Sequence, residues 1–357
     1  MIEGLDTLLI ETDQPGLAEL RLFLAEMFAA DGGHGRIVEV SKLWRSRVFR
    51  VTAEQNGTER SLVIKRLTPE LAYKEKRVVE RWLPRIDMGE YGPPLLGAAA
   101  EQTGRCVWHV YEDLGPWTLD KQMDDMACVE VATRHVADIH MRGTEHAVLA
   151  ECRCAGEDFG MGFYESSIRD GIRNLMAISS GPAPLQAAQQ RLIDKLLEKL
   201  SELWAQRNYR AEALANCGGP ETLLHGDLWT TNIFVMPGDK LQARLIDWDH
   251  IGVGQISYDL STYLLRFPAE RRQSVLDCYQ AAVEPLNWEL PAAEDFNLLC
   301  ETAELARLST ATLWSAINAC EHPTDWAFAE LNEISQWFEA LQPLLPVATS
   351  YEQASRN

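Results

Sequence analysis

The sequence predicts an α+β protein with a small β-rich amino-terminal lobe and a larger, mostly helical lobe behind it. Three observations predict this. Apolar residues recur with a period of two in short runs between Ile37 and Tyr111, on either side of one helical stretch, and with helical spacing through most of the chain beyond Tyr111. Within the helical part lies Leu223-Leu224-His225-Gly226-Asp227-Leu228-Trp229-Thr230-Thr231-Asn232-Ile233-Phe234-Val235, two apolar runs around a polar core spaced His-x-Asp-x-x-x-x-Asn. A further apolar run, Ala243 to Ile246, ends in Asp247-Trp248-Asp249.

The chain has 357 residues, enough for two lobes with a sizeable core. Its net charge of -20 argues against nucleic acid or an anionic membrane as partner, because both are polyanions. It is compatible with a cationic substrate. Eight cysteines are scattered, only Cys152 and Cys154 lie close together, and no second pair follows at zinc spacing. The first residues, Met1 to Asp6, lack the basic and apolar regions of a secretory leader, and no apolar run reaches bilayer length. A cytoplasmic protein with reduced thiols is expected.

Leu17, Leu20, Phe23 and Met27 predict a leading helix over about 16–30, broken by Asp31-Gly32-Gly33-His34-Gly35. Strands follow at Ile37–Val40, Arg47–Ala53 and Ser61–Leu67, the last two joined by the turn Gln55-Asn56-Gly57-Thr58. The link between the first two strands is Ser41 to Ser46. A helix is expected over about Pro69–Leu83, then a strand after Pro93-Pro94 and another over Arg105–Tyr111. Glu112-Asp113-Leu114-Gly115-Pro116 marks the end of the lobe. We place the boundaries at 1–112, 113–347 and a polar tail, 348–357. Helices are expected over Val129–Met141, Leu185–Trp204 and repeatedly beyond Glu270, with Trp314, Trp326 and Trp337 in their core. Asp259 reads as a helix N-cap.

A loop Asp and Asn usually serve turns, since both bond local backbone. Here their order, their spacing and the flanking strands fit phosphoryl transfer. In that chemistry one carboxylate orients the attacking hydroxyl, while a carboxamide and a second carboxylate hold magnesium. These segments resemble the aminoglycoside phosphotransferase and choline kinase superfamily, small-molecule kinases with a protein-kinase-like two-lobed fold. His225 through Asn232 resembles its catalytic loop, Leu245 to Asp249 its metal-binding segment, and Gly254 to Leu260 the segment after it.

The resemblance implies that Asp227 is the catalytic base and that Asn232 and Asp247 bind Mg2+, with ATP or GTP as phosphoryl donor. Asp249 is either a further metal-site residue or a cap, and His225 shapes the loop. Lys65 stands on the third strand, where such folds hold the α- and β-phosphates. Its acid partner is Glu75 or Glu80; Glu75 is preferred because it shares a face with Val79 and Trp82. The strand link has no glycine, which departs from protein kinases and leaves Ser46, lysine and backbone amides to meet the phosphates. Glu112 and Leu114 fall on the hinge whose backbone reads the base. His140 is expected to brace the catalytic loop. Glu157, Asp158, Glu165 and Asp170 are candidates to face a cationic acceptor.

The function implied is transfer of the γ-phosphoryl group to a hydroxyl of a small molecule. The first choice of acceptor is an antibiotic, an aminoglycoside or another hydroxylated natural product, giving resistance. The alternatives are a metabolite kinase for choline, a sugar or an amino sugar, and a non-catalytic nucleotide-binding scaffold. A monomer or homodimer would suffice.

Overall fold

The computed structural model describes residues 14–30, 35–44, 47–181, 185–321 and 324–346. Ser46, the break at 31–34 and the tail 348–357 lie outside the described residues. The chain divides into two compact units, residues 1–132 with 231–249 and residues 133–230 with 250–357. The α+β class expected from the sequence is borne out: a five-stranded sheet precedes a mostly helical region.

In the first unit, helix α1 (Leu17–Ala30) precedes strands β1 (Gly35–Trp44), β2 (Val48–Gln55) and β3 (Thr58–Leu67). Asn56 and Gly57, at φ 52° and 78°, make the tight turn between β2 and β3. Left-handed residues at both positions match the twist of a two-residue hairpin. Helix α2 (Pro69–Arg77) runs into a π-helical turn, Val78–Trp82. Strands β4 (Leu95–Ala100) and β5 (Val107–Glu112) complete an antiparallel sheet ordered β1-β2-β3-β5-β4.

Alternation divides this sheet into two faces. Val51, Leu62, Ile64, Trp108 and Val110 are fully buried in one cluster with Leu20, Leu24 and Phe28 of α1. Spacing of four residues aligns those three side chains on the helix, and each contributes about 1.5–3 kcal/mol by burial. The opposite face carries Lys65, His109 and Tyr111, because Lys65 pairs with His109 and Val63 with Tyr111.

The link expected over Ser41–Ser46 is shorter than the sequence suggested. Ser41, Lys42 and Trp44 pair with Arg50, Phe49 and Val48, so β1 continues through most of it. Period-two patterning without a glycine or proline gives the strand no local reason to stop.

Strands β8 (Ile233–Met236) and β9 (Gln242–Leu245) form a hairpin. It belongs to the first unit, where the Val235 amide donates to the Trp117 carbonyl at 2.9 Å.

The second unit is built on helices. In chain order the remaining elements are α3 (Met126–Gly143), α4 (Val148–Ala155), β6 (Glu157–Asp158), α5 (Met161–Ser179), α6 (Ala187–Ala205), α7 (Arg207–Cys217), β7 (Glu221–Leu224) and β10 (Gly252–Gln255). They end with α8 (Ser257–Leu265), α9 (Ala269–Val283), α10 (Ala293–Glu321) and α11 (Asp325–Ala340). The 29-residue α10 packs against α5, α7, α8 and α11. A small sheet ordered β6-β10-β7 holds the start of the loop after Leu224.

Trp314, Trp326 and Trp337 are not core residues: they are 64%, 62% and 51% exposed. Ala316, Ala327, Leu331, Ile334 and Phe338 take the buried positions instead. Helical phase decides this, since a residue next in sequence to a buried one points about 100° away. Among the described residues no helix is long and apolar enough to cross a membrane.

Candidate active site

Lys65 is the centre of charge in the first unit. Its Nζ lies 2.5 Å from Glu75 Oε1, 2.5 Å from Asp247 Oδ1 and 3.0 Å from Asp249 Oδ1. β3 supplies the lysine and α2 the glutamate. Glu80 is the other acid the sequence left open, and it pairs instead with Lys76 at the surface, at 3.7 Å. Positions 75 and 80 differ by five residues, which turns them to different sides of the helix.

Burial disfavours the lysine's charge, but the three carboxylates outweigh it and raise its pKa well above the usual range. Burial also opposes ionisation of Glu75. Bonds to His109 and Asp249 and the charge of Lys65 prevail and hold its carboxyl below the usual range. Asp249 goes the other way. Burial first, then its hydrogen bond to Glu75 and the charges of Glu75 and Asp247, push it up to about 8. Two like charges this close do not both ionise readily, and Glu75 beside it opposes the ionisation of Asp249.

Glu75 has a second set of partners that motif spacing does not mark. The Tyr111 hydroxyl donates to Glu75 Oε2. His109 Nδ1 lies 2.9 Å from the Tyr111 hydroxyl and 3.5 Å from Glu75 Oε2. Register could have found them, because residues opposite Lys65 and two further along share its face. Tyr111→Phe is expected to raise the nucleotide KM about tenfold or more with little change in kcat, for the loss of one hydrogen bond to a charged group, about 1.5–3 kcal/mol. Steady-state kinetics against nucleotide concentration reads this.

The hairpin explains why Asn232 and Asp247 are neighbours despite their separation in sequence. Ile233 pairs with Leu245, and the Ile246 amide donates to the Asn232 carbonyl at 3.0 Å, so both residues flank one end of the ladder. Asp247 has φ +63°, a left-handed conformation rare for a residue with a side chain. Single oxygens of Glu75, Asp247 and Asp249 lie within 4.8 Å of one another. Hard carboxylate oxygens in such a group suit Mg2+.

The segment after β5, expected to read the base, is pinned through Asp113. Its carboxylate accepts from Arg50 Nε at 2.6 Å, Ser61 Oγ at 2.6 Å and the Gly115 amide at 3.0 Å. The Glu112 amide is already used, donating to the Pro94 carbonyl at 3.0 Å. Glu112 ends β5, and Leu114 lies on the segment that Asp113 holds.

Asp227 and His225 stand in the second unit. The Asp227 amide donates to His225 Nδ1 at 3.3 Å, and the Asp227 carbonyl accepts from the Trp229 amide at 2.9 Å. Gly226 has φ +83°, and a Cβ there would lie 1.9 Å from the His250 carbonyl oxygen. Only glycine fits this turn.

Asp259 is not an N-cap. Ile256 holds that position, and Asp259 lies in the first turn of α8, fully buried. Its carboxylate accepts from the His225 amide at 2.7 Å and the Gly226 amide at 2.8 Å. His140 Nε2 lies 3.2 Å from the same carboxylate, and His140 Nδ1 lies 2.8 Å from the Tyr279 hydroxyl. His140 thus braces the loop through Asp259.

Burial disfavours the Asp259 charge. The bond and charge of His140, the charge of His225 and the Gly226 amide outweigh it and hold the carboxyl low. Asp259→Asn turns one acceptor into a donor facing an amide and is expected to destabilise the protein by about 1–3 kcal/mol. Because the folded pKa is depressed, the difference from wild type is full above about pH 3.9 and closes as the pH falls below it. Urea unfolding of both proteins across that range checks it.

The sequence profile of the phosphotransferase enzyme family matches residues 36–296. A search of curated protein sequences found no match. Among solved structures, an ethanolamine kinase from Plasmodium vivax aligns with a TM-score of 0.56 and 11% identity, over 85% of this chain and 81% of that one. An aminoglycoside phosphotransferase from Streptomyces rimosus, in complex with ADP and streptomycin, aligns with a TM-score of 0.51 and 19% identity, over 81% and 98%. A choline kinase from Cryptosporidium parvum gives 0.53 and 15%, over 87% and 92%. At these identities the likeness is one of fold.

Proposed function

Since the chain belongs to the phosphotransferase enzyme family, we propose that it transfers the γ-phosphoryl group of ATP or GTP to a hydroxyl of a small molecule. The observation that carries this is Lys65, held 2.5 Å from both Glu75 and Asp247 in a cluster of hard oxygen donors.

Phosphoryl transfer asks the protein mainly for positioning and charge compensation. Lys65 takes the α- and β-phosphates, and Glu75 keeps the lysine in place. Ser46 and the backbone of the β1–β2 turn meet the phosphates. The Glu112 carbonyl and Leu114 amide read the base. Asn232 and Asp247, with Asp249 beside them, would hold Mg2+, which neutralises phosphate charge when bound. Asp227 orients the acceptor hydroxyl. As its oxygen bonds to the γ-phosphorus, the β–γ bridging oxygen leaves with the nucleoside diphosphate, and the proton passes to the Asp227 carboxylate. His225 and Asp259 keep that loop in shape. The protein acts in the cytoplasm as a monomer or homodimer.

The acceptor assigned first is a hydroxylated antibiotic, whose phosphorylation gives resistance. One observation favours a metabolite, or an antibiotic that is not a polycation. Two of the acids expected to meet a cation are already matched by arginines. Asp158 pairs with Arg153 at 3.2 Å, and Asp170 with Arg169 at 3.0 Å and Arg173 at 3.7 Å.

The test is nucleoside diphosphate release with Mg2+ and ATP or GTP, across antibiotics, choline, sugars and amino sugars, with Asp227→Asn beside wild type. Acceptor-dependent release lost in the variant supports the proposal. Nucleotide binding with no release for any acceptor would favour the non-catalytic scaffold.

A further inference from the structure

Trp229 follows Asp227 by two residues and is 41% exposed. The Arg266 guanidinium carbon stands 4.0 Å from its ring centroid. Arg266 ends α8, seven residues after Asp259. Seven residues are almost two helical turns, so one face of α8 grips the loop through Asp259 and covers Trp229 through Arg266.

The acids around this pair have other duties. Glu304 accepts from Arg307 at 2.7 Å and from Ser261 at 2.6 Å. Asp259 serves two loop amides and His140. Arg307 is matched by Glu304, Ser261 and the Tyr258 carbonyl. Arg266 is different: like Arg307 it buries its Nε without a partner, but among the described residues its side chain makes no ion pair or hydrogen bond. Burial lowers its pKa, while Glu304 and Asp227 act from a distance to raise it. Its guanidinium, partly exposed and contacted by no carboxylate among the described residues, can take an anionic group.

Resting on the phosphotransferase reading, we propose that Arg266, laid on Trp229 two residues from Asp227, is a specificity-determining residue that takes a carboxylate or phosphate group of the acceptor. The acceptor is then a hydroxylated organic anion, of the class of sugar acids and hydroxy acids, and not a polycationic amino sugar.

The test uses the full chain with acceptors matched in skeleton and differing in charge: glucuronate, glucose and glucosamine, then glycerate, glycerol and ethanolamine. Turnover is measured with Mg2+ and ATP in wild type, Arg266→Gln and Arg266→Lys. Thermal shifts with the same compounds are measured without nucleotide. The anionic member is expected to lead its set by about tenfold or more, equivalent to ~1.4 kcal/mol. In Arg266→Gln that lead should vanish with the neutral member little changed, and Arg266→Lys should recover part of it.

A lead for the cationic members, or an equal loss for all three in Arg266→Gln, would overturn the inference and leave the phosphotransferase standing. So would the absence of any anion-dependent thermal shift that distinguishes wild type from Arg266→Gln. A shift with inorganic phosphate that requires Mg·ADP, with none from the organic acids, would assign the anion to the transferred phosphoryl group and overturn the acceptor assignment. Failure of the phosphotransferase reading shows separately, as no acceptor-dependent nucleoside diphosphate release from any of the three proteins with any compound.

Discussion

Asp227→Asn is expected to lower kcat by about two to four orders of magnitude, the usual contribution of a general base, with melting temperature and nucleotide affinity close to wild type. The carboxylate is the only group changed. Four of the bonds that shape the loop leave the Asp227 carboxylate out: the Asp227 amide to His225 Nδ1, the Trp229 amide to the Asp227 carbonyl, and the His225 and Gly226 amides to Asp259. All of them survive the substitution. An amide of the same shape orients a hydroxyl but does not accept its proton. Single-turnover phosphoryl transfer, beside a thermal melt with Mg·nucleotide, separates chemistry from folding. A rate within about fivefold of wild type would remove Asp227 from the base role.

Lys65→Met is expected to have the largest effect in the first unit, on stability and activity together. The side chains of Lys65 and Glu75 are 15% and 6% exposed, so their pair is almost dry. Removing one partner of a buried pair costs about 3–5 kcal/mol, because the other charge is left uncompensated. Asp247 is 43% exposed and contributes less to that cost. Activity should fall about a hundredfold or more in kcat/KM for nucleotide, as for loss of a preorganised charge at the phosphates.

The variant also makes a specific metal prediction. With the ammonium gone, Glu75, Asp247 and Asp249 keep oxygens within 4.8 Å of one another. Mg2+ should therefore raise the melting temperature of Lys65→Met more than that of wild type. Equal magnesium shifts in the two proteins would argue that these carboxylates do not share a cation site.

The loop and the lysine strand are legible in the sequence because their signals are local. Alternation around Lys65 shows which residues share its face, and the hairpin length between Asn232 and Asp247 follows from two short apolar runs with turn residues between. Asp259 reads as a cap because a polar residue near a helix start ordinarily is one; the chain does not show that its carboxylate meets amides more than thirty residues earlier. The exposed tryptophans have a similar cause. Size and hydrophobicity argue for burial, but a shift of one position on a helix turns a side chain to solvent.

By itself, the sequence determined the class of the fold, the order of its strands along the chain and the residue types at the lysine, the catalytic loop and the metal segment. Those depend on periodicity and short spacings, which act between near neighbours. The sequence preferred Glu75 over Glu80 as the partner of Lys65, and tertiary structure alone decided that Tyr111 and His109 stand behind that glutamate and that residues 231–249 group with the first unit. Tertiary structure also decided that α8 clamps the loop through Asp259 and lays Arg266 on Trp229, with no ion pair to a described carboxylate. Each of these depends on which charges are taken out of water together, and burial sets the strength of that pairing only once distant segments have packed.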